Sequence, residues 1–184
     1  QREDIDPGSL CSYIPDLTVA NENDSSEKIS ECIQLINQSK RPVIVLGWGI
    51  RLSQSEKEAL TFIEALGFPV LLSFAMRDFL ESSSPLNVGS FGSHGTRYGN
   101  FTIQNSDLVV VIGSRLDSRK SGSPPKDFAR EAKKIIVDID QSELNKFKNI
   151  GINVDVLLQK DCKSFFREIN ERFNEISIQD IDPW

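Results

Sequence analysis

The run Leu108-Val-Val-Val-Ile112 stops at Gly113 and passes at once into Ser114-Arg115-Leu116-Asp117-Ser118-Arg119. Five apolar, mostly β-branched residues closed by glycine suit a strand buried on both faces, as in a parallel sheet. In open parallel sheets, ligands bind outside the carboxyl ends of the strands. Arg115 and Arg119 are therefore expected where a phosphate or carboxylate would be held. The planar guanidinium can give two parallel, charge-assisted hydrogen bonds to one anion. The same two side chains are equally compatible with surface arginines paired to Asp117.

The rest of the chain repeats this theme. Pro42–Leu46 is a second buried run and leads straight into Gly47-Trp48-Gly49. Ser53-Gln-Ser-Glu56 has capping-box spacing and predicts a helix with Leu60, Ile63 and Leu66 inward, stopped by Gly67. Pro69–Leu72 is the next strand, completing a βαβ unit with a right-handed crossover. Later strands are expected at Lys134–Ile139 and Ile152–Leu158, with one helical turn from Gln141 to Lys146 between them. Helical periodicity places Ile29, Cys32, Ile33 and Ile36 on one stripe, starting near Asp24-Ser25-Ser26 and ending by Lys40. A closing helix from Lys160-Asp161 aligns Cys162, Phe165, Phe166, Ile169 and Phe173. Between Ser73 and Asn105 the pattern loosens, with a helical turn over Met76–Leu80, a glycine-rich bend at Phe91–Thr96 and a short helix at Arg97–Gln104. So long an excursion predicts a segment that covers a ligand or a partner. Alternating strands and helices imply a single three-layer α/β domain over residues 24–174. Residues 1–23, with Pro7, Gly8 and Pro15, read as a lead-in whose apolar residues can pack along the domain. Residues 175–184 read as a tail too short and polar for a fixed place.

A length of 184 residues allows one full core. A net charge of −6 with no basic run argues against a nucleic-acid surface, which phosphate backbones would require. It gives no reason to expect binding to an anionic membrane. No apolar run is long enough to span a bilayer, and no signal-peptide pattern precedes Arg2, Glu3 and Asp4. Cys11, Cys32 and Cys162 are widely spaced and lack histidine partners, so neither a zinc site nor a disulfide framework follows. Cys32 and Cys162 fall on apolar helix faces, as reduced thiols of a cytoplasmic protein would.

Three further features can carry chemistry. Gly47-Trp48-Gly49 is only part of a dinucleotide fingerprint, because Leu52 stands where G-x-G-x-x-G requires glycine. It offers bare backbone to an adenine or pyrophosphate, or else a tight turn at positive φ. His94, the only histidine, lies between Gly92 and Gly95 with no catalytic partner at an interpretable spacing. It can donate a hydrogen bond to a ligand or face solvent. Asp138 and Asp140 close a strand some 25 residues after Gly113, close to the roughly 20-residue offset of a ribose-binding carboxylate. Ribose binding and helix capping both suit them. No catalytic residue and no metal-ligand set emerges.

Together, RPVIVLGWGI (41–50), FGSHGT (91–96), SDLVVVIGSRLDSR (106–119) and VDIDQSELNK (137–146) resemble the central domain of thiamine-diphosphate-dependent enzymes, most closely the acetolactate (acetohydroxyacid) synthase branch. The resemblance covers roughly residues 25–173. It implies a Rossmann-like domain of the DHS-like NAD/FAD-binding class, with a six-stranded parallel sheet, set between pyrimidine-binding and diphosphate-binding domains of a homo-oligomeric parent. It implies FAD in this domain, with ADP or no nucleotide in some relatives. Carried over by position, Gly47, Trp48 and Gly49 would lie beside the adenosine side. Ser73, Phe74 and Ala75 follow the second strand, and Gly92, Ser93 and His94 form a third contact. Gly113, Arg115, Asp117 and Arg119 would face the pyrophosphate and ribityl region, with Asp138, Ile139 and Asp161 near the adenosine. The arginine block departs from the family's GxRFDDRxTG at Leu116, Ser118 and Ser121. The family's GDG and paired asparagines do not occur in the chain. Thiamine diphosphate and magnesium would thus belong to other domains of a parent that condenses or decarboxylates 2-oxo acids, branched-chain amino acid biosynthesis being one such route, and this domain would be inert alone.

Overall fold

A computed structural model describes residues 22–177 together with Gly8. Six strands form one sheet in the order β3-β2-β1-β4-β5-β6, all parallel: β1 Pro42–Leu46, β2 Val70–Leu72, β3 Asn87–Ser90, β4 Leu108–Ile112, β5 Lys133–Asp138 and β6 Val156–Gln159. The expected three-layer, Rossmann-like fold is what forms. Successive residues of a strand point to opposite faces, and here both faces are covered. Ile44, Leu46, Val110, Ile112, Ile135 and Val137 pack against α1 (Glu22–Gln38), α3 (Glu56–Leu66) and α7 (Cys162–Glu171). Val43, Val45, Val109, Val111 and Ile136 face Ile103 of α4 (Arg97–Asn105) and Leu144 of α6 (Gln141–Asn145). The continuous apolar runs were therefore the correct signal for strands without a wet face.

Several local expectations are corrected. The capping box does not form, because Ser55 rather than Ser53 stands before α3 and its side chain makes no cap bond. Ser53 Oγ instead bonds the Ile50 carbonyl and pairs with Ser55 Oγ, closing a one-turn helix α2 (Gly49–Leu52) where a polar loop was expected. Gly67, at φ 67°, does end α3. Strand β3 had no counterpart among the expected strands. The last strand begins at Val156 rather than Ile152. Helix α1 begins at Glu22, inside the predicted lead-in. At the other end Ser177 N donates to Asn37 Oδ1 and Asn37 Nδ2 donates to the Glu175 carbonyl, so the first residues of the predicted tail are held on α1. The remaining lead-in and tail residues other than Gly8, Cys11 included, lie outside the described residues.

Candidate functional site

The strand order runs outward in both directions from β1 and β4, so the chain's winding reverses between them. Loops leaving two such neighbouring strands diverge to opposite faces and open a crevice between them. The reversal point here is built by glycine. Gly47 N donates to the Ile112 carbonyl (2.9 Å) and Gly49 N to the Gly113 carbonyl (3.0 Å). A Cβ on Gly47 would lie 2.1 Å from the Gly113 oxygen, and one on Gly49 would lie 2.8 Å from Gly113 Cα. Neither Gly47 nor Gly49 is at positive φ; Gly113 is, at 63°. The pair is thus explained by contact between two backbones and not by a left-handed turn.

Above this point lies a crevice of about 570 Å³, within the range of about 300–1,000 Å³ usual for cofactor sites. Trp48 and Gly49 line it from the β1 end, Ser73, Phe74 and Ala75 from the β2 end, and Gly113, Arg115 and Asp117 from the β4 end. Asp138 and Ile139 line it from β5, and Asp161 from the start of α7. Gly47 is buried beneath. Gly92, Ser93, His94 and Arg119 are not among its walls. Gly92, Ser93 and Arg119 form a separate contact: Ser93 N donates to the Arg119 carbonyl (2.8 Å), and a Cβ on Gly92 would meet that oxygen at 2.3 Å. The His94 ring is exposed beside Ser93 Oγ (3.0 Å), while Arg77 donates to its carbonyl (2.9 Å).

Reasoning from sequence missed Leu52, Ser53, Ser114, Leu116, Lys120 and Cys162, which also line the crevice. Lys120 takes the place expected of Arg119. Asp117 caps the one-turn helix α5 (Ser118–Ser121) by accepting from Arg119 N, and that turn puts Lys120 on the crevice side. Burial pulls the Lys120 ammonium below its ordinary pKa, and it lies 5.2 Å over the Phe91 ring. No signal short of the turn itself marks this exchange.

The acidic residues divide by task. Asp161 caps α7, accepting from Lys163 N and Ser164 N. Asp140 caps α6 through Ser142, whose side-chain and backbone hydrogen bonds hold the Asp140 carboxyl below its usual pKa. Asp138 is 8% exposed, accepts from Asp140 N with Oδ1, and is pushed above the usual carboxylate pKa by desolvation. The two aspartates thus do not act as a pair. Arg115 does not pair with Asp117 either; its Nε and Nη2 both reach Glu143 Oε1, at 2.8 and 2.7 Å. Four of the exposed large apolar side chains, Trp48, Leu52, Phe74 and Ile139, converge on this one crevice. Solvent-exposed apolar groups gathered around two cations, Arg115 and Lys120, and three carboxylates, Asp117, Asp138 and Asp161, suit a ligand with a flat, poorly hydrated part, an anionic part and hydroxyl donors. Cys32 and Cys162 are both buried with their thiols pushed up to about 12, so neither is a nucleophile at neutral pH. Among the described residues no cluster suits a metal ion, and no helix is long and apolar enough to cross a membrane.

The sequence model of a family described as "Thiamine pyrophosphate enzyme, central domain" matches residues 29–169. The chain is 35% identical over 153 residues to a probable acetolactate synthase large subunit of Methanococcus aeolicus, covering 83% of this chain and 25% of that protein. It is 36% identical over 134 residues to the acetolactate synthase isozyme 1 large subunit of Escherichia coli, covering 72% and 23%. A 2-hydroxyacyl-CoA lyase 1 of Dictyostelium discoideum is 30% identical over 165 residues, covering 90% and 26%. The chain thus spans about a quarter of the length of the curated relatives it matches.

Proposed function

Because the chain belongs to the thiamine pyrophosphate enzyme central-domain family, we propose that its crevice at the β1/β4 reversal binds an adenosine-diphosphate-bearing cofactor, FAD first. The parent would be an acetolactate-synthase-like enzyme that condenses or decarboxylates 2-oxo acids. The observation that carries this reading is the convergence of Trp48, Leu52, Phe74 and Ile139 with Arg115 and Lys120 on one crevice at the carboxyl ends of the strands. The donor set fits such a group. Arg115, Lys120 and the Ser114–Arg115 backbone would meet the diphosphate. Asp138 would accept from ribose hydroxyls, and the apolar rim would cover the flat rings. In the acetolactate synthase branch FAD makes no net redox contribution, so its role here would be to complete the packing between this domain and its neighbours.

Thiamine diphosphate and magnesium would be held by other parts of the parent, whose domains and subunits would be this chain's partners. The shared chemistry of the ligand is adenosine diphosphate, and the acyl-CoA named in the Dictyostelium relative makes ADP itself the second candidate. Flavin fluorescence on titration with FAD, with ADP as competitor, tests the site. Quenching reversed by ADP is the expected result. No response to either nucleotide would leave a purely architectural domain with a vestigial site. Arg115→Ala is expected to weaken ADP binding about tenfold, equivalent to one lost charge-assisted hydrogen-bonding group.

A further inference from the structure

The VDIDQSELNK segment contributes more than Asp138 and Ile139 to this site. Glu143 and Lys146, one turn apart on and just after α6, close a ring around Arg115. Arg115 Nε donates to Glu143 Oε1, which also forms an ion pair with Nη2, Lys146 Nζ donates to Glu143 Oε2, and Lys146 Nζ also donates to the Arg115 carbonyl. One arginine is thereby held at both its backbone and its guanidinium. The carboxylate is the covered partner: Glu143 is 16% exposed, while the Arg115 side chain is 75% exposed and lines the crevice. The loop between these anchors is held in an uncommon shape, with Gly113 at φ 63° and the buried Leu116 at φ 42°. A left-handed leucine persists only where its surroundings over-determine it.

From this geometry we infer that Glu143 is a positioning residue for the anionic part of the ligand, acting through Arg115, with Lys146 completing the clamp. A guanidinium offers five N–H groups in a fixed fork. Glu143 occupies the side-on edge made by Nε and Nη2. The end-on fork of Nη1 and the second Nη2 hydrogen takes no acceptor among the described residues, and that edge is free to meet a phosphate with two parallel bonds. The clamp's charges leave one net positive, since Lys146 offsets Glu143. Loss of the glutamate charge alone would strengthen the local positive field, whereas loss of its orienting oxygen would leave a long side chain to be ordered at the ligand's expense. The two effects have opposite signs.

This inference rests on the nucleotide reading above, and the test separates the two. ADP affinity is measured by calorimetry for the 184-residue chain and for Glu143→Leu, Glu143→Gln, Arg115→Ala and the Arg115→Ala/Glu143→Leu pair. Thermal melting shows that each variant is folded. Glu143→Leu is expected to bind ADP about tenfold more weakly, and Glu143→Gln, which keeps an oxygen acceptor, to return within about threefold of the unaltered chain. On the Arg115→Ala background, Glu143→Leu should add nothing. If Arg115→Ala weakens binding but Glu143→Leu binds equally well or more tightly, or if the two losses add, Glu143 does not act through Arg115 and the inference fails alone. If the unaltered chain binds neither ADP nor FAD, the nucleotide reading fails and takes the inference with it.

Discussion

At the scale of single residues, glycine does two different jobs that composition cannot distinguish. Gly47 sits where a Cβ would penetrate the backbone of Gly113 and Ser114, so Gly47→Ala is expected to cost about 3 kcal/mol or more. Thermal denaturation should show a fall in Tm of about 6–12 °C. Gly67 has open space around it but a φ of 67°, so Gly67→Ala should cost only about 1–2 kcal/mol, as backbone strain. A larger loss at Gly67 than at Gly47 would overturn both assignments. Asp138 gives a pH-dependent case. Its folded pKa is raised above 3.8 by desolvation, so the folded state holds that proton more tightly than the unfolded chain. Its contribution to stability therefore falls as pH rises from about 3.8 through the folded value. Asp138→Asn keeps the oxygen that accepts from Asp140 N and removes this penalty. The variant should melt higher than the unaltered chain near pH 7, and the difference should vanish once pH drops below the unfolded aspartate's range, about 3.9. Glu143 has the opposite sign, since hydrogen bonding to Lys146 holds its carboxyl below 4.5 and the stability it brings is lost in acid.

At the scale of elements, α7 ties the site to the core. Its inner face sets Phe165 and Phe166 against Phe62 of α3, with ring centroids 6.2 and 5.6 Å away. Its first turn, capped by Asp161, ends at the crevice. Phe165→Ala, at a fully buried position, should cost about 3–5 kcal/mol. Asp161→Ala should cost about 1 kcal/mol, the usual value of a lost N-cap. Chemical denaturation separates the two by their midpoints. Most elements were legible because a strand buried on both faces is a continuous apolar run and a helix on the sheet is a stripe of period 3.6. Strand β3 was not, for a local reason. Asn87-Val-Gly-Ser90 is a half-buried edge with two residues that disfavour strands, and the Asn87 side chain bonds Gly89 N and the Leu80 and Glu81 carbonyls. The strand is held by its neighbour and these side-chain bonds, neither of which leaves a periodic pattern.

At the scale of the whole molecule, binding at the crevice should appear as added stability, because a ligand that recognises only the folded chain draws the equilibrium toward it. At about 100 times its dissociation constant, FAD or ADP should add about 2.7 kcal/mol, a rise of about 5–11 °C in Tm. The Arg115→Ala chain should show the smaller shift under the same concentrations. The sequence by itself determined the alternation of buried strands and covering helices, the sheet that alternation requires, and most of the residues at the strand ends, because burial and chain direction are local properties of a pattern. Only the tertiary structure decided which of those residues share one crevice. Whether Arg119 or Lys120 faces it depends on the rotation of a single helical turn. Whether Arg115 answers to Asp117 or to Glu143, 28 residues away, depends on how α6 packs across the sheet. A side chain's partner is set by where the backbone carries it in space, and neighbours in sequence do not encode that distance.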